Sequence, residues 1–285
     1  MNIINAENLA CPIDGNKLEQ QEKQFICTDG HTFDIARQGY VNLLPVQHKR
    51  SKQPGDSKAM VLARAHFLDT GIYEPIASTL TEIVSAQLTD DSDICLLDAG
   101  CGEAYYFDYL MKHLDKDSKT NNLTLIGLDI SKDAIIQAAK RNKKTSWAVG
   151  TNRQPPIVEQ SVDIILCMFG FVSIDAFNKV LKPGGKIIMV DPGLDHLREL
   201  RKIIYSEVKA EKQSDSATLE YPGFSLIETK ALRFDKTVDS NEQVNNLLLM
   251  TPHFYRASKQ GREAACELCE LDITVDVVFK VYQKT

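Results

Sequence analysis

Apolar residues along the chain follow two different rhythms. Met60, Leu62, Ala63 and Phe67, then Ile76, Leu80, Ile83 and Val84, recur every three or four positions and predict helices over 58–69 and 73–87. Four short continuous runs follow: ICLLDAG from Ile94, LTLIGLDI from Leu123, DIILCMF from Asp163 and KIIMVDP from Lys186. They are rich in Ile, Leu and Val and do not alternate, as expected of parallel strands covered on both faces. Helical spacing between and after them predicts helices over 104–113, 132–141, 173–181 and 194–205. Leu226–Phe234 and Ile273–Tyr282 read as longer, more alternating strands. Strand and helix in succession predict a doubly wound α/β sheet.

The first 45 residues break this rhythm. They are turn-rich and hold two knuckles, Cys11-Pro-Ile-Asp14-Gly15 and Cys27-Thr-Asp-Gly30-His31. Residues 46–57, VQHKRSKQPGDS, carry no apolar period and contain Pro54-Gly55, so they read as an exposed connector. The expected division is a small module over 1–45, a connector over 46–57 and a large domain over 58–285.

Composition narrows the classes. With 43% hydrophobic and 25% charged residues, the 285-residue chain can bury a sizeable core. No apolar run approaches the roughly 18–20 residues of a membrane span. MNIINAENLACP has neither a basic nor an apolar signal region, so cytoplasmic residence is the expectation. The seven cysteines are odd in number and scattered, which argues against a disulfide framework. Cys266 and Cys269 have no partner pair and read as a helix-end coincidence. A net charge of −6 speaks against a globally basic nucleic-acid binder. Locally the balance reverses: Arg37, Lys49, Arg50, Lys52, Lys58 and Arg64 face a single acid, Asp56. That run is either a solvated loop or a phosphate contact through Lys49, Arg50 and Lys52.

The chemistry concentrates where the first of the four runs ends. LLDAGCG, Leu96 to Gly102, places Gly100 and Gly102 between a strand and a helix, where a turn without Cβ atoms lets backbone approach a ligand. The second run ends at Asp129 in GLDIS, positioned to accept both hydroxyls of a ribose. A nicotinamide dinucleotide site wants G-x-G-x-x-G, and G-C-G-E-A-Y lacks the third glycine. A phosphate-binding G-K-[ST] loop is absent. A cofactor with adenosine and an amino acid but no phosphate fits better. LLDAGCG, GLDIS and LKPGGKIIMVDP together resemble the motifs of Rossmann-like, class I S-adenosylmethionine-dependent methyltransferases, which adds Asp98 to the candidate cofactor set.

Other segments resemble one branch of that class. FDIARQGYVNLLPVQHKRSKQPGDS, ARAHFLDTGIYEPI, LLDAGCGEAYYF, PGLDHLRELRKIIYSEV and the Met-Thr-Pro at 250–252 resemble the RlmA-type 23S ribosomal RNA (guanine-N1)-methyltransferases over nearly the whole chain. The resemblance implies S-adenosylmethionine contacts at Tyr73, Gly102, Glu103 and His196. It also implies an N-terminal zinc module with ligands spaced C-x2-C-x12-C-x3-H. Here those positions are Cys11, Asp14, Cys27 and His31, so a carboxylate stands where the pattern has a thiolate. Zinc accepts that set, while packing of Phe25, Phe33 and Tyr40 offers another way to hold the module. A second departure is Ala104, where relatives carry glycine; alanine costs little there if its φ is negative.

The implied function is methylation of a guanine N1 in large-subunit ribosomal RNA, with that RNA as partner and a homodimer as one possible assembly. The catalytic base is not named by the sequence. Met168-Phe169-Gly170-Phe171 replaces the [D/N]-P-P-[Y/F] of amino-directed enzymes, which argues against exocyclic-amine methylation. Phe169 and Phe171 are either base-stacking or core residues. Asp191 is an available carboxylate that the family does not require. Two rivals stay open: a small-molecule methyltransferase with the same core, and a binding protein that has lost the cofactor.

Overall fold

A computed structural model describes residues 2–48, 51, 53–88, 93–114, 122–205 and 220–285. Its centre is a nine-stranded mixed sheet. Strands β6 (Ile94–Ala99), β7 (Asn122–Asp129), β8 (Ser146–Val149), β9 (Val162–Met168) and β10 (Leu181–Pro192) are parallel, in the spatial order β8-β7-β6-β9-β10. All six residues of β6 are buried, which explains its unbroken apolar run. The chain leaves β6 towards β7 and β8, then crosses to β9 on the other side. The crevice at the carboxyl end of β6 is therefore the switch point where α/β sheets place ligands.

Beyond β10, β12 (Leu271–Lys284) inserts antiparallel between β10 and the edge strand β11 (Phe224–Val238). Only β11 keeps the alternating burial read from the sequence; β12 is covered by neighbours and is mostly buried.

Local signals start the helices where expected. The Ser57 side chain accepts from the Met60 N–H to open α1 (Lys58–Leu68). Ser131 does the same from Ala134 for α4 (Lys132–Arg141). Pro75 lies in the first turn of α2 (Glu74–Gln87). Also as predicted are α3 (Tyr105–His113) and α5 (Ile174–Val180). The helix expected from 194 begins later, as α6 (Arg198–Ile204), because Leu197 takes a left-handed φ of 52° and breaks the turn ahead of it. Three helices were not anticipated: α7 (Asn241–Met250), α8 (His253–Arg256) and α9 (Lys259–Cys266). They are short, and each buries at most three residues.

The N-terminal segment contributes to both sheets. β2 (Glu19–Gln21), β3 (Gln24–Ile26) and β4 (Thr32–Asp34) form a small antiparallel sheet. β1 (Asn2–Ile4) pairs with β7, and β5 (Tyr40–Asn42) pairs with β8. Leu9, Cys11, Leu18, Phe25 and Cys27 share one core cluster with Leu97, Ile126, Ile157 and Val162. Three-residue strands cannot bury a core of their own, so they borrow one from the large sheet.

Candidate cofactor site and metal centre

After β6 the backbone is tied to the end of β7. Gly100 and Cys101 N–H groups donate to the Leu128 carbonyl at 2.8 and 3.1 Å. Gly102 N–H donates to Asp129 Oδ2 at 2.9 Å, and Ser131 N–H to Asp129 Oδ1 at 2.7 Å. One carboxylate thus fixes the glycine turn and the start of α4. Gly100 (φ +94°) and Gly102 (φ +56°) are left-handed, which is why these positions carry no side chain. A Cβ at Gly100 would meet only Asn152 Nδ2, at 3.8 Å, and one at Gly102 only Arg64 Nη1, at 3.6 Å. Above the turn lies an open cradle.

The turn continues into Ala104, which sits at φ +70°. The condition for an inexpensive alanine therefore fails: a left-handed non-glycine residue costs about 1–2 kcal/mol. Glycine at this position is expected to be the better residue even after its larger unfolded-state entropy. The Ala104→Gly variant should melt about 1–3 °C higher; an equal or lower midpoint in a thermal melt would contradict the strain.

Acids line the cradle. Asp98 and Glu103 are each 2% exposed, and among the described residues Asp98 Oδ1 and Glu103 Oε2 have no hydrogen-bond partner. Burial, reinforced by the charges of Asp129 and Glu103, pushes Asp98 up to about 8. Burial also raises Glu103, opposed by Arg64, and raises Asp129, opposed by the N–H groups of Ser131 and Gly102. Orphaned buried carboxylates beside an open backbone turn fit a cationic ligand. S-adenosylmethionine, with an ammonium and a sulfonium, matches that demand.

Arg64, read from the sequence only as part of the basic run, stands beside the turn at Gly102. It donates to Asp56 Oδ2 at 2.5 Å and to the Met250 carbonyl at 3.2 Å. Asp56 in turn accepts at its carbonyl from Ser131 Oγ, at 2.8 Å. Gly55 lies so close to Ile130 and Ser131 that a Cβ would come within 2.9 Å of them. The connector, read as exposed, is docked on the cofactor turn at its end. Beside it Pro54, Asp56, Ile130, Ser131 and Ile136 help line a cavity of about 330 Å³.

Tyr73 and His196 meet across the same crevice. Tyr73 is buried, packs edge-on against Phe67, and its Oη lies 3.4 Å from His196 Nε2. The Asp276 N–H donates to His196 Nδ1 at 3.3 Å, so Nε2 carries the proton of the neutral ring. Burial pushes this imidazole down to about 4, against the opposing charge of Asp276.

A second cluster forms in the N-terminal module. The ligand atoms of Cys11, Asp14, Cys27 and His31 all lie within 4.8 Å of one another. Cys27 Sγ is 3.2 Å from Asp14 Oδ2 and 3.3 Å from His31 Nδ1. Cys11 Sγ is 3.6 Å from His31 Nδ1, and Asp14 Oδ2 is 2.8 Å from that nitrogen. Zinc–ligand bonds of about 2.0–2.3 Å place tetrahedral donors about 3.3–3.8 Å apart. Separations of 2.8–3.6 Å for four of the donor pairs, with all of them within 4.8 Å, lie close to that cage. The Asn16 N–H holds the Asp14 carboxyl well below the usual range, so it is an anion at neutral pH. Lys49, Arg50 and Lys52 lie outside the described residues.

Residues 9–52 match the family model described as RlmA, N-terminal, a zinc ribbon, and residues 96–185 match one described as a methyltransferase domain. A Bacillus subtilis relative provisionally named 23S rRNA (guanine-N(1)-)-methyltransferase YxjB is 31% identical over 273 residues, 94% of each chain. The 23S rRNA (guanine(748)-N(1))-methyltransferase of Streptomyces fradiae is 29% identical over 279 residues, covering 96% of this chain and 95% of its own. Among solved structures, the YcgJ protein of Bacillus subtilis overlaps 72% of this chain and 97% of its own at 17% identity, with a TM-score of 0.44.

Proposed function

Because the chain belongs to the RlmA-type 23S rRNA (guanine-N1)-methyltransferases, we propose that it moves a methyl group from S-adenosylmethionine to N1 of one guanine in large-subunit ribosomal RNA. The single observation carrying this reading is the open glycine cradle anchored by Asp129, in a chain that matches these enzymes over 94–96% of its length. In our reading, residues 1–45 form an RNA-recognition module, 46–57 a basic connector and 58–285 the catalytic domain. Lys49, Arg50 and Lys52 would meet phosphates. Among the described residues no helix is long and apolar enough to cross a membrane, and we place the enzyme in the cytoplasm. A homodimer is one assembly that light scattering would reveal.

The cofactor supplies an electrophilic methyl on a sulfonium; the protein's task is to hold the two partners in line. Gly100 and Gly102 would admit the aminocarboxylate end, Asp98 and Glu103 would offset its positive charge, and Asp129 would offer the ribose the lone pairs that Gly102 and Ser131 leave free. Tyr73 Oη accepts from His196 Nε2–H and keeps its own hydroxyl proton, which it would donate to the cofactor. His196 is not the base in this scheme, since Nδ1 is already an acceptor and Nε2 already bears a proton. Cys11, Asp14, Cys27 and His31 would hold zinc, which fastens the module.

Offering methyl-labelled S-adenosylmethionine with protein-free large-subunit RNA and with assembled subunits tests the reading. Label is expected on a guanine N1; label only in small molecules would favour the rival acceptor.

A proton should leave when the cofactor binds. Asp98 sits near 8 in the free site and is mostly protonated at pH 7. A neighbouring ammonium favours the charged form. Calorimetric titration at pH 7, in buffers of different ionisation heat, is expected to report release of roughly one proton per cofactor. Affinity should rise as pH increases to about 8, and the buffer dependence should vanish in Asp98→Asn. Heats that do not vary with buffer would remove Asp98 from contact with the ammonium.

A further inference from the structure

At the rim of the cradle stand two aromatic rings and a cation that cofactor binding leaves unused. Phe169 follows β9 directly, is 39% exposed, and has a left-handed φ of 53°. A strained, half-open phenylalanine is an expensive feature for a fold to keep. Its N–H donates to the Val190 carbonyl at 2.9 Å. Its ring stacks on His196, with centroids 6.0 Å apart and planes at 27°, and lies 6.3 Å from Tyr106.

Two residues later Phe171 is 52% exposed, with the Arg153 guanidinium 4.4 Å over its ring. Asn152 Nδ2 staples these parts together. It donates to the Ala99 carbonyl at 3.1 Å and to the Phe171 carbonyl at 3.0 Å. Ala99 immediately precedes Gly100. Between the rings, Gly170 lies so close that a Cβ would sit 3.4 Å from the same Ala99 carbonyl. Both phenylalanines are thus held beside the methyl-donor cradle, facing away from the core. Among the described residues Arg153 forms no ion pair, so no carboxylate there offsets its charge.

Single-stranded RNA bases are gripped by stacking on aromatic rings and guanidinium planes, at a gain of about 1–3 kcal/mol per base. Target bases inside folded RNA are first swung out of their stack. Resting on the guanine-N1 reading above, we propose that Phe169 and Phe171 seat the extruded acceptor guanine and that Arg153 faces its O6. When N1 releases its proton to water, the charge spreads over N1 and O6, where the guanidinium offsets it. The N1 lone pair then forms the bond to the methyl carbon. The carbon–sulfur bond breaks with its electron pair left on sulfur.

The test compares Phe169→Ala, Phe171→Ala and Arg153→Gln with the unmodified protein. Each is assayed with labelled cofactor and large-subunit RNA for kcat and KM, and by calorimetry for cofactor affinity. The expected result is a fall of about ten- to hundredfold in kcat/KM for RNA, with cofactor affinity changed less than twofold in Phe171→Ala and Arg153→Gln; Phe169→Ala is judged on RNA alone, because its ring stacks on His196. Phe171→Tyr should restore most of the loss, Phe171→Leu little of it, and Arg153→Lys only part. Unchanged kcat/KM overturns the seat. So does equal rescue by leucine, which would mean apolar filling without stacking, or a parallel loss of cofactor affinity in the Phe171 and Arg153 variants. If the unmodified protein labels no guanine in large-subunit RNA, the functional reading fails first and the seat falls with it.

Discussion

Replacing Asp129 by alanine is expected to weaken S-adenosylmethionine binding at least a hundredfold and to lower the melting temperature together with it. Both oxygens of this half-buried carboxylate already accept, one from Gly102 N–H and one from Ser131 N–H. Hydrogen bonds to charged groups contribute about 1.5–3 kcal/mol each. Their loss also leaves two N–H groups without their acceptor. The Gly102 side would release the turn that forms the cradle. The Ser131 side would loosen the start of α4, where Ser131 Oγ holds Asp56 and through it Arg64. Asp129→Asn should fall between, because an amide oxygen can serve one N–H while its NH₂ opposes the other. Calorimetry with S-adenosylmethionine checks the first effect and a thermal melt the second. A loss of less than tenfold in affinity would mean that the turn is held by its other contacts.

The second large effect concerns the N-terminal module. Cys27→Ser should reduce bound zinc from about one per chain to almost none, as measured by elemental analysis of the purified protein. Cys27 is 4% exposed and lies at the centre of the cluster, within reach of both Asp14 and His31. A structural zinc site contributes about 10–16 kcal/mol of apparent binding free energy, so losing one thiolate should also unfold the small sheet. Limited proteolysis would then cut within residues 9–35 while the methyltransferase core resists. Asp14→Cys makes the opposite case: a third thiolate should slow zinc loss to a chelator. Equal zinc content in the Cys27→Ser and unmodified proteins would leave the module held by Phe25, Phe33 and Tyr40 packing.

Much of this molecule was legible before any coordinates. Four of the five central parallel strands announced themselves as continuous apolar runs, whereas the four-residue β8 did not. Gly100 and Gly102 marked the candidate cofactor turn, and the family resemblance pointed to Cys11, Asp14, Cys27 and His31, which the fold brings together. The strand and turn signals act within a few residues of one another, because strand burial and turn conformation depend on near neighbours.

Other features depend on atoms far apart in the chain, and no local pattern encodes them. Arg64 reaches Met250, and Asn152 joins Ala99 to Phe171. The handedness of Ala104 is set by a turn tied to Leu128 and Asp129 on the neighbouring strand. β1 and β5 leave the small module for the large sheet because three-residue strands gain their burial only from a partner already formed. The sequence by itself determined which cofactor chemistry the chain can offer. Only the tertiary structure decided how the turn is held and what stands at its rim, since hydrogen bonds and burial across the sheet exist only once the distant segments meet.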